Sequence, residues 1–174
     1  VGARRAERTP AVLDVRRPDV PHQAYADAVL RELSWQRAQG SLGELRSVFF
    51  GGGTPSLWAA SELGRVLSVI LGGFDSHSPD LDITVECNPS SLDPAQAQAL
   101  AAVGVNRLSV GVQALDADRL RYLGRLHDAQ GALRALQSAQ TAVSRVSGDL
   151  MFGTPGQPPQ AFLAEVAQLV ELGL

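Results

Sequence analysis

Apolar runs alternate along this chain with amphipathic stretches, and the alternation repeats four times. From about Pro21, the residues Tyr25, Ala28, Val29, Leu33 and Trp35 recur at three- and four-residue steps. That spacing predicts a helix, which Gly40 and Gly43 end. Val48-Phe49-Phe50 is a continuous apolar run and reads as a buried strand. Gly51-Gly52-Gly53 follows at once, then Thr54 as an N-cap and Pro55 at a first helical position. Helical periodicity runs through Leu57, Ala60, Leu63, Val66, Leu67 and Ile70 and stops at Gly72-Gly73. A polar loop, Asp75 to Asp80, leads to a strand over Leu81 to Glu86, broken by Asn88-Pro89. Asp93-Pro94 caps and starts the next helix, with Ala97, Leu100 and Ala101 on its apolar face and Gly104 at its close. Val105 to Gln113 is a third strand with its exit. Helix is predicted from about Asp116, broken near Gly124 and resumed from Asp128 to about Ala142. Val143 to Leu150 is a fourth strand, Gly153 to Pro158 a loop, and Phe162, Val166, Leu169 and Val170 mark a last amphipathic helix.

A helix in every strand-to-strand connection implies parallel strands with right-handed crossovers. Two α/β architectures remain, a doubly wound sheet and a (β/α) barrel. Polar or glycine-rich groups sit at four successive strand ends: Gly51 to Thr54, Glu86, Gln113 and Asp149. In a barrel those ends converge on one mouth, whereas in an open sheet only those near the switch point meet. The pattern therefore predicts a partial TIM-like barrel of about four βα units, since a full eight-unit barrel needs roughly 250 residues.

Composition narrows the classes of function. Net charge is −3, with 15 Lys+Arg against 18 Asp+Glu, and the basic residues are scattered outside the opening stretch. Nothing there points to a nucleic-acid surface as the main partner. The apolar runs are much shorter than a membrane span, and no signal-peptide pattern opens the chain. One cysteine, Cys87, excludes an internal disulfide, and the cytoplasm is the default compartment. Residues 1 to about 20 stand apart, with Arg4, Arg5, Arg8, Arg16 and Arg17 beside Pro10 and Pro18. They read as a poorly ordered, arginine-rich segment ahead of a core domain over residues 21–174. A phosphate-binding tail, or a coding sequence begun in the wrong place, would have the same composition.

The candidate chemistry lies at the strand ends. The glycine loop fits neither the G-x-x-x-x-G-K-[ST] nor the G-x-G-x-x-G pattern, so it is either a tight turn or a different ligand loop. Its glycines let a ligand approach the backbone. Glu86 and Asp149 are carboxylates on separate strands, suited to acid–base work or to structural hydrogen bonds. Gln113 offers both a donor and an acceptor. Arg125, after Gly124, is either an exposed helix arginine or a bidentate partner for a carboxylate. Cys87 reads as a small packed residue. His22, His77 and His127 have no metal spacing and read as solvated or capping histidines.

Several segments together resemble the oxygen-independent coproporphyrinogen III oxidase family of radical S-adenosylmethionine proteins. They are Phe49-Phe50-Gly51-Gly52-Gly53-Thr54-Pro55-Ser56, Thr84-Val85-Glu86-Cys87-Asn88-Pro89, Asn106 to Gln113 followed by Leu123-Gly124-Arg125 and His127, and Gly148 to Gly156. They stand in the family's order from about residue 46 to the C-terminus, and their wording is most similar to the heme-chaperone branch. The resemblance implies an incomplete barrel that binds S-adenosylmethionine beside a [4Fe–4S] cluster. Gly52, Gly53 and Thr54 would meet the methionyl amino end. Glu86, Gln113 and Asp149 would contact polar groups of the cofactor, and Arg125 would face its carboxylate. Val112 stands where many relatives carry methionine.

One departure bears on the chemistry. The family's CxxxCxxC motif should precede the helix near Pro21, and no cysteine is there. Cluster ligation needs thiolates, so the expectation is a partial S-adenosylmethionine site with no cluster ligands and no radical chemistry by this chain as written. Three hypotheses follow. The first is a family member truncated at both ends, whose parent binds heme for delivery or oxidises a porphyrinogen. The second is a non-catalytic module that binds S-adenosylmethionine or heme. The third is an unrelated barrel hydrolase using Glu86 and Asp149. A partial barrel also leaves open sheet edges and uncovered strand faces, which predicts self-association.

Overall fold

The computed structural model describes residues 20–38 and 43–174. The arginine-rich segment expected over residues 1 to 20 lies outside them except for Val20, and so does Gly40, the expected helix stop. The elements run α1 (His22–Arg37), β1 (Glu44–Phe50), α2 (Ala60–Leu71), β2 (Ser76–Cys87), α3 (Pro94–Ala102), β3 (Arg107–Gln113), α4 (Ala117–Tyr122), α5 (Ala129–Ala142), β4 (Arg145–Leu150) and α6 (Pro159–Glu171). Short 3-10 turns over Pro55–Leu57 and Pro89–Ser91 follow β1 and β2.

The four strands form one sheet in the order β1-β2-β3-β4, and every neighbouring pair is parallel. Strand order follows chain order without reversal, so the sheet has no switch point. That is the arrangement of a barrel wall rather than of a doubly wound sheet. The core lies between one face of this wall and the helices. Leu108, Val110 and Val112 of β3 alternate inward toward it, with Ile83, Val85 and Cys87 of β2 and with Leu63, Val66, Leu67, Leu100 and Leu136 from the helices. Asp93 caps α3 as expected by accepting the Gln96 N–H, and Asp116 and Asp128, where helices were expected to begin, accept the N–H groups of Arg119 and Gly131.

The opposite, concave face is mostly polar. Thr84 and Glu86, Ser109 and Gly111, and Ser147 and Asp149 occupy the alternate positions of β2, β3 and β4. At the starting end of the strands, Asp82 pairs with Arg107 at 3.2 Å and with Arg145 at 3.6 Å. Uncovered apolar surface on this face is therefore limited, in contrast to the expectation for a bare barrel wall. Phe49 is the exception. The sequence predicts it buried in β1, yet it is 62% exposed, because Val48 and Phe50 on either side of it face the helices and Phe49 points to the other face.

Three further expectations change. The polar stretch from Ser76 to Asp80 is strand, not loop: Ser76 and His77 pair with Glu44 and Leu45, and a register shift separates that short ladder from the main one. Backbone pairing at a sheet end needs no apolar side chains, so periodicity does not reveal it. Thr54 makes no side-chain cap bond, Pro55 opens only a 3-10 turn, and α2 begins at Ala60. Helix α1 packs at the periphery, with Tyr25 and Trp35 largely exposed and Ala26 buried. Val29 and Leu30 pack beside Ala26 against the core, and two polar bonds add to them: the Trp58 indole N–H donates to the His22 carbonyl, and His22 Nδ1 accepts the Ala59 N–H.

Candidate functional site

The C-terminal ends of the strands border a cavity of about 490 Å³. Gly53, Thr54, Glu86, Gln113, Arg125 and Asp149 all line it. Residues far apart in sequence are thus brought to one mouth, because each strand ends on the same side of a parallel sheet.

The glycine loop supplies the first wall. Gly52 and Gly53 have φ of 83° and 61°, and a Cβ at either would meet nothing within 4 Å. Glycine is therefore required by backbone conformation there, and open space lies over the backbone. Gly52 is not itself a lining residue, but its N–H donates to Glu86 Oε2 at 3.1 Å. That bond ties the end of β1 to the end of β2. Ser56 makes a second tie: its Oγ lies 2.6 Å from Ser91 Oγ and accepts the Asn88 N–H at 3.1 Å. The Gln96 side chain donates to the carbonyls of Ser56 and Trp58. Fully internal bonding of a 2% exposed serine fixes the loop against the sheet.

The exit of β3 supplies the second wall. Gln113 is the one non-glycine residue with positive φ among the described residues, at 67°. The β3–β4 register shifts between Val110 and Gln113, and Met151 N–H donates to the Gln113 carbonyl. Such an irregularity at a strand end re-aims a side chain. A Cβ on Gly111 would come within 2.7 Å of the Gln113 side-chain amide, so Gly111 provides the room in which that amide lies.

Asp149 is oriented by a hydroxyl chain. Ser109 Oγ donates to its carboxylate at 2.9 and 3.1 Å, and Ser147 Oγ donates to Ser109 Oγ at 3.1 Å. Glu86 is aligned with Ser109 across β2–β3, and Ser109 with Ser147 across β3–β4. With β3 between them, the Cα atoms of Glu86 and Asp149 are about 12 Å apart from strand spacing and rise.

Arg125 follows Gly124, whose φ of 66° ends α4. It is half-buried rather than on a helix surface. Its Nε is buried and has no hydrogen-bond partner, and no carboxylate pairs with its guanidinium among the described residues. Burial pulls its pKa below the ordinary arginine value. An arginine so placed is a cation facing a cavity without a counter-ion.

Cys87 is packed, as expected. It is 5% exposed, and burial pushes its thiol up to about 12, so the thiolate needed for metal ligation is strongly disfavoured. His127 departs from the solvated or capping role. It is buried behind the β3 exit, its Nε2 lies 3.0 Å from the Val112 carbonyl, and burial lowers its pKa. Ser109, Asn88 and Leu126 also line the cavity and were not singled out from the sequence. Ser109 was detectable in principle, two and four residues before Gly111 and Gln113 on the same strand face.

A family model described as the Radical SAM superfamily matches residues 14–169. The chain belongs to this superfamily. It is 34% identical over 158 residues to the heme chaperone HemW of Escherichia coli, a match covering 88% of this chain and 41% of that protein. It is 43% identical over 128 residues to the mitochondrial radical S-adenosyl methionine domain-containing protein 1 of Bos taurus, covering 72% of this chain and 28% of that protein. Among solved structures, the radical SAM enzyme coproporphyrinogen III oxidase (HemN) of Escherichia coli superposes with a TM-score of 0.70 at 25% identity, over 88% of this chain and 36% of that one. The chain thus spans well under half the length of these relatives. The partial radical SAM barrel and the likeness to the heme-chaperone and coproporphyrinogen oxidase branches agree with the sequence motifs.

Membership implies S-adenosylmethionine and a [4Fe–4S] cluster for the superfamily. The residues present do not fit the cluster. The chain has one cysteine, and it is the buried, high-pKa Cys87. Among the described residues no group of three or more His, Cys, Asp or Glu side chains is placed to hold a metal ion. A cluster would need thiolates that these 174 residues do not contain. No helix among the described residues is long and apolar enough to cross a membrane.

Proposed function

We propose that the strand-end cavity is an S-adenosylmethionine site, built from the part of the radical SAM barrel that this chain supplies. The observation that carries the reading is the buried, unpartnered Nε of Arg125 in a cavity that also presents Gly53, Thr54, Glu86, Gln113 and Asp149. A zwitterionic amino-acid end needs a cation for its carboxylate and acceptors for its ammonium group. Arg125 would take the carboxylate through its planar fork. The open backbone of Gly52 and Gly53, with Thr54, would meet the ammonium end. Glu86, Gln113 and Asp149 would hold the remaining polar groups of the ligand. No radical step is assigned to these residues, because cleavage of the bound sulfonium needs an electron from a cluster whose ligands the chain lacks.

The intact protein is proposed to act in heme metabolism in the cytoplasm, delivering heme or oxidising a porphyrinogen. The names of the heme-chaperone and coproporphyrinogen oxidase relatives support the heme part of this reading, whereas the Bos taurus relative is named as a mitochondrial protein. The edges of β1 and β4 are both open in the described sheet, which supports self-association of the isolated chain.

The test is calorimetric titration of the purified chain with S-adenosylmethionine, alongside Glu86→Ala and Arg125→Ala. Saturable binding that both substitutions weaken by about tenfold or more supports the site. Absence of binding by a folded chain overturns it.

A further inference from the structure

The exit of β3 is held by a residue that never reaches the cavity. Glu165 lies on α6 and is 5% exposed. Its Oε1 accepts the backbone N–H groups of Leu115 and Asp116 and pairs with the guanidinium of Arg119. Leu115 and Asp116 directly follow the Gln113-Ala114 turn, in which the Ala114 N–H donates to the Val112 carbonyl. Asp116 is in turn the N-cap of α4. At the far end of α4, the Arg125 N–H is bonded to the Leu120 carbonyl. The same short segment therefore begins with Gln113 and ends with Arg125.

Three physical points converge on Glu165. A positive φ on a residue with a Cβ persists only when surrounding contacts over-determine it, and Gln113 has such a φ. A buried carboxylate is costly unless donors surround it, and here two backbone N–H groups and an arginine do so. A buried ion pair adds little stability over an apolar pair of the same shape, and in some proteins what it contributes is a fixed geometry. Glu165 Oε2 and Arg119 Nε have no partner among the described residues, so this pair is not an optimised stabilising network.

We propose that Glu165 is the positioning residue of this cavity, clamping the Leu115-Asp116 backbone and Arg119 so that Gln113 and Arg125 face the ligand together. The inference rests on the S-adenosylmethionine reading for its ligand, and on the unliganded fold for the clamp itself.

The experiment measures S-adenosylmethionine affinity and backbone hydrogen exchange on the purified chain and three variants. Glu165→Ala removes the clamp. Glu165→Gln keeps an oxygen that accepts both N–H groups, and it remains informative where the alanine variant fails to fold. Val66→Ala, in the core of α2 and remote from the site, controls for general destabilisation. Glu165→Ala is expected to weaken binding by about tenfold or more, as misplacement of binding groups does, and to speed exchange at Leu115 and Asp116 without ligand. Glu165→Gln is expected to recover part of both, and Val66→Ala to lower the melting temperature at unchanged affinity. Unchanged exchange at Leu115 and Asp116 in folded Glu165→Ala overturns the clamp; where that variant does not fold, affinity and exchange both unchanged in Glu165→Gln, which loses the charge paired with Arg119, overturn it. Affinity loss no greater than in Val66→Ala overturns its positioning role. If the parent chain does not bind S-adenosylmethionine, the ligand reading fails, and the exchange comparison still decides the clamp.

Discussion

Glu86 Oε2 accepts the backbone N–H of Gly52 at 3.1 Å, joining the end of β2 to the glycine loop after β1. The bond gives Glu86 two roles, since the same carboxylate lines the cavity. Glu86→Ala should free the loop and cost about 1 kcal/mol of stability, the usual net worth of one such bond. Glu86→Gln, which keeps an acceptor oxygen, should retain most of that stability while weakening ligand binding. Urea unfolding and titration of both variants separate the two roles. Equal stability of the alanine variant and the parent would remove the loop-tethering role.

Gly52 and Gly53 test backbone conformation alone. A Cβ has open space at both positions, so alanine meets no clash there. The cost is the left-handed φ, about 1–2 kcal/mol at each site. Denaturant midpoints of Gly52→Ala and Gly53→Ala should fall accordingly. Gly43→Ala, where space is open and φ is not positive, should stay close to the parent.

Arg125→Met should separate stability from binding. The guanidinium is half-buried and unpaired among the described residues, and burial already lowers its pKa. Removing such a charge should leave the melting temperature unchanged or raise it, while S-adenosylmethionine affinity falls by about tenfold or more. A clear drop in melting temperature would mean that Arg125 supports the fold rather than a ligand.

His127 makes stability depend on pH. Burial lowers its pKa below the ordinary 6.5. Between the folded value and 6.5 the unfolded chain binds more protons, so unfolding becomes easier as pH falls. Its contribution is complete above about 6.5 and is lost as pH drops toward the folded value. His127→Gln should flatten this dependence in urea unfolding series between pH 7.5 and 5, a range chosen around the ordinary histidine value of about 6.5.

Cys87 gives the opposite sign at high pH. Its thiol is pushed from 9.0 up to about 12, so the folded chain holds its proton longer than the unfolded chain. Stability should decline as pH rises through 9 toward 12. At neutral pH a thiol reagent should label Cys87 no faster than the chain unfolds, and denaturant should release rapid labelling. Fast labelling of the native chain would contradict the packed, protonated thiol.

The order and type of the main elements, and the residues that end the strands, are legible from residue spacing alone. Alternation of apolar runs with helical periodicity, a cap such as Asp93 and helix starts near Asp116 and Asp128 are local properties, so residue spacing reveals them. The strand-end signatures also pointed to a single mouth, since parallel strands with helical crossovers all finish on one side. Features that depend on neighbours remote in sequence emerge only on folding. Phe49 is exposed because the concave face beside it has no covering layer, and Ser76 to Asp80 are strand because β1 offers a partner. His127 is buried by the β3 exit, Arg125 lacks a counter-charge among the described residues, and Glu165 reaches back fifty residues to hold Leu115. None of these follows from periodicity. Burial, pairing and charge compensation are set by groups that only folding brings within hydrogen-bonding distance.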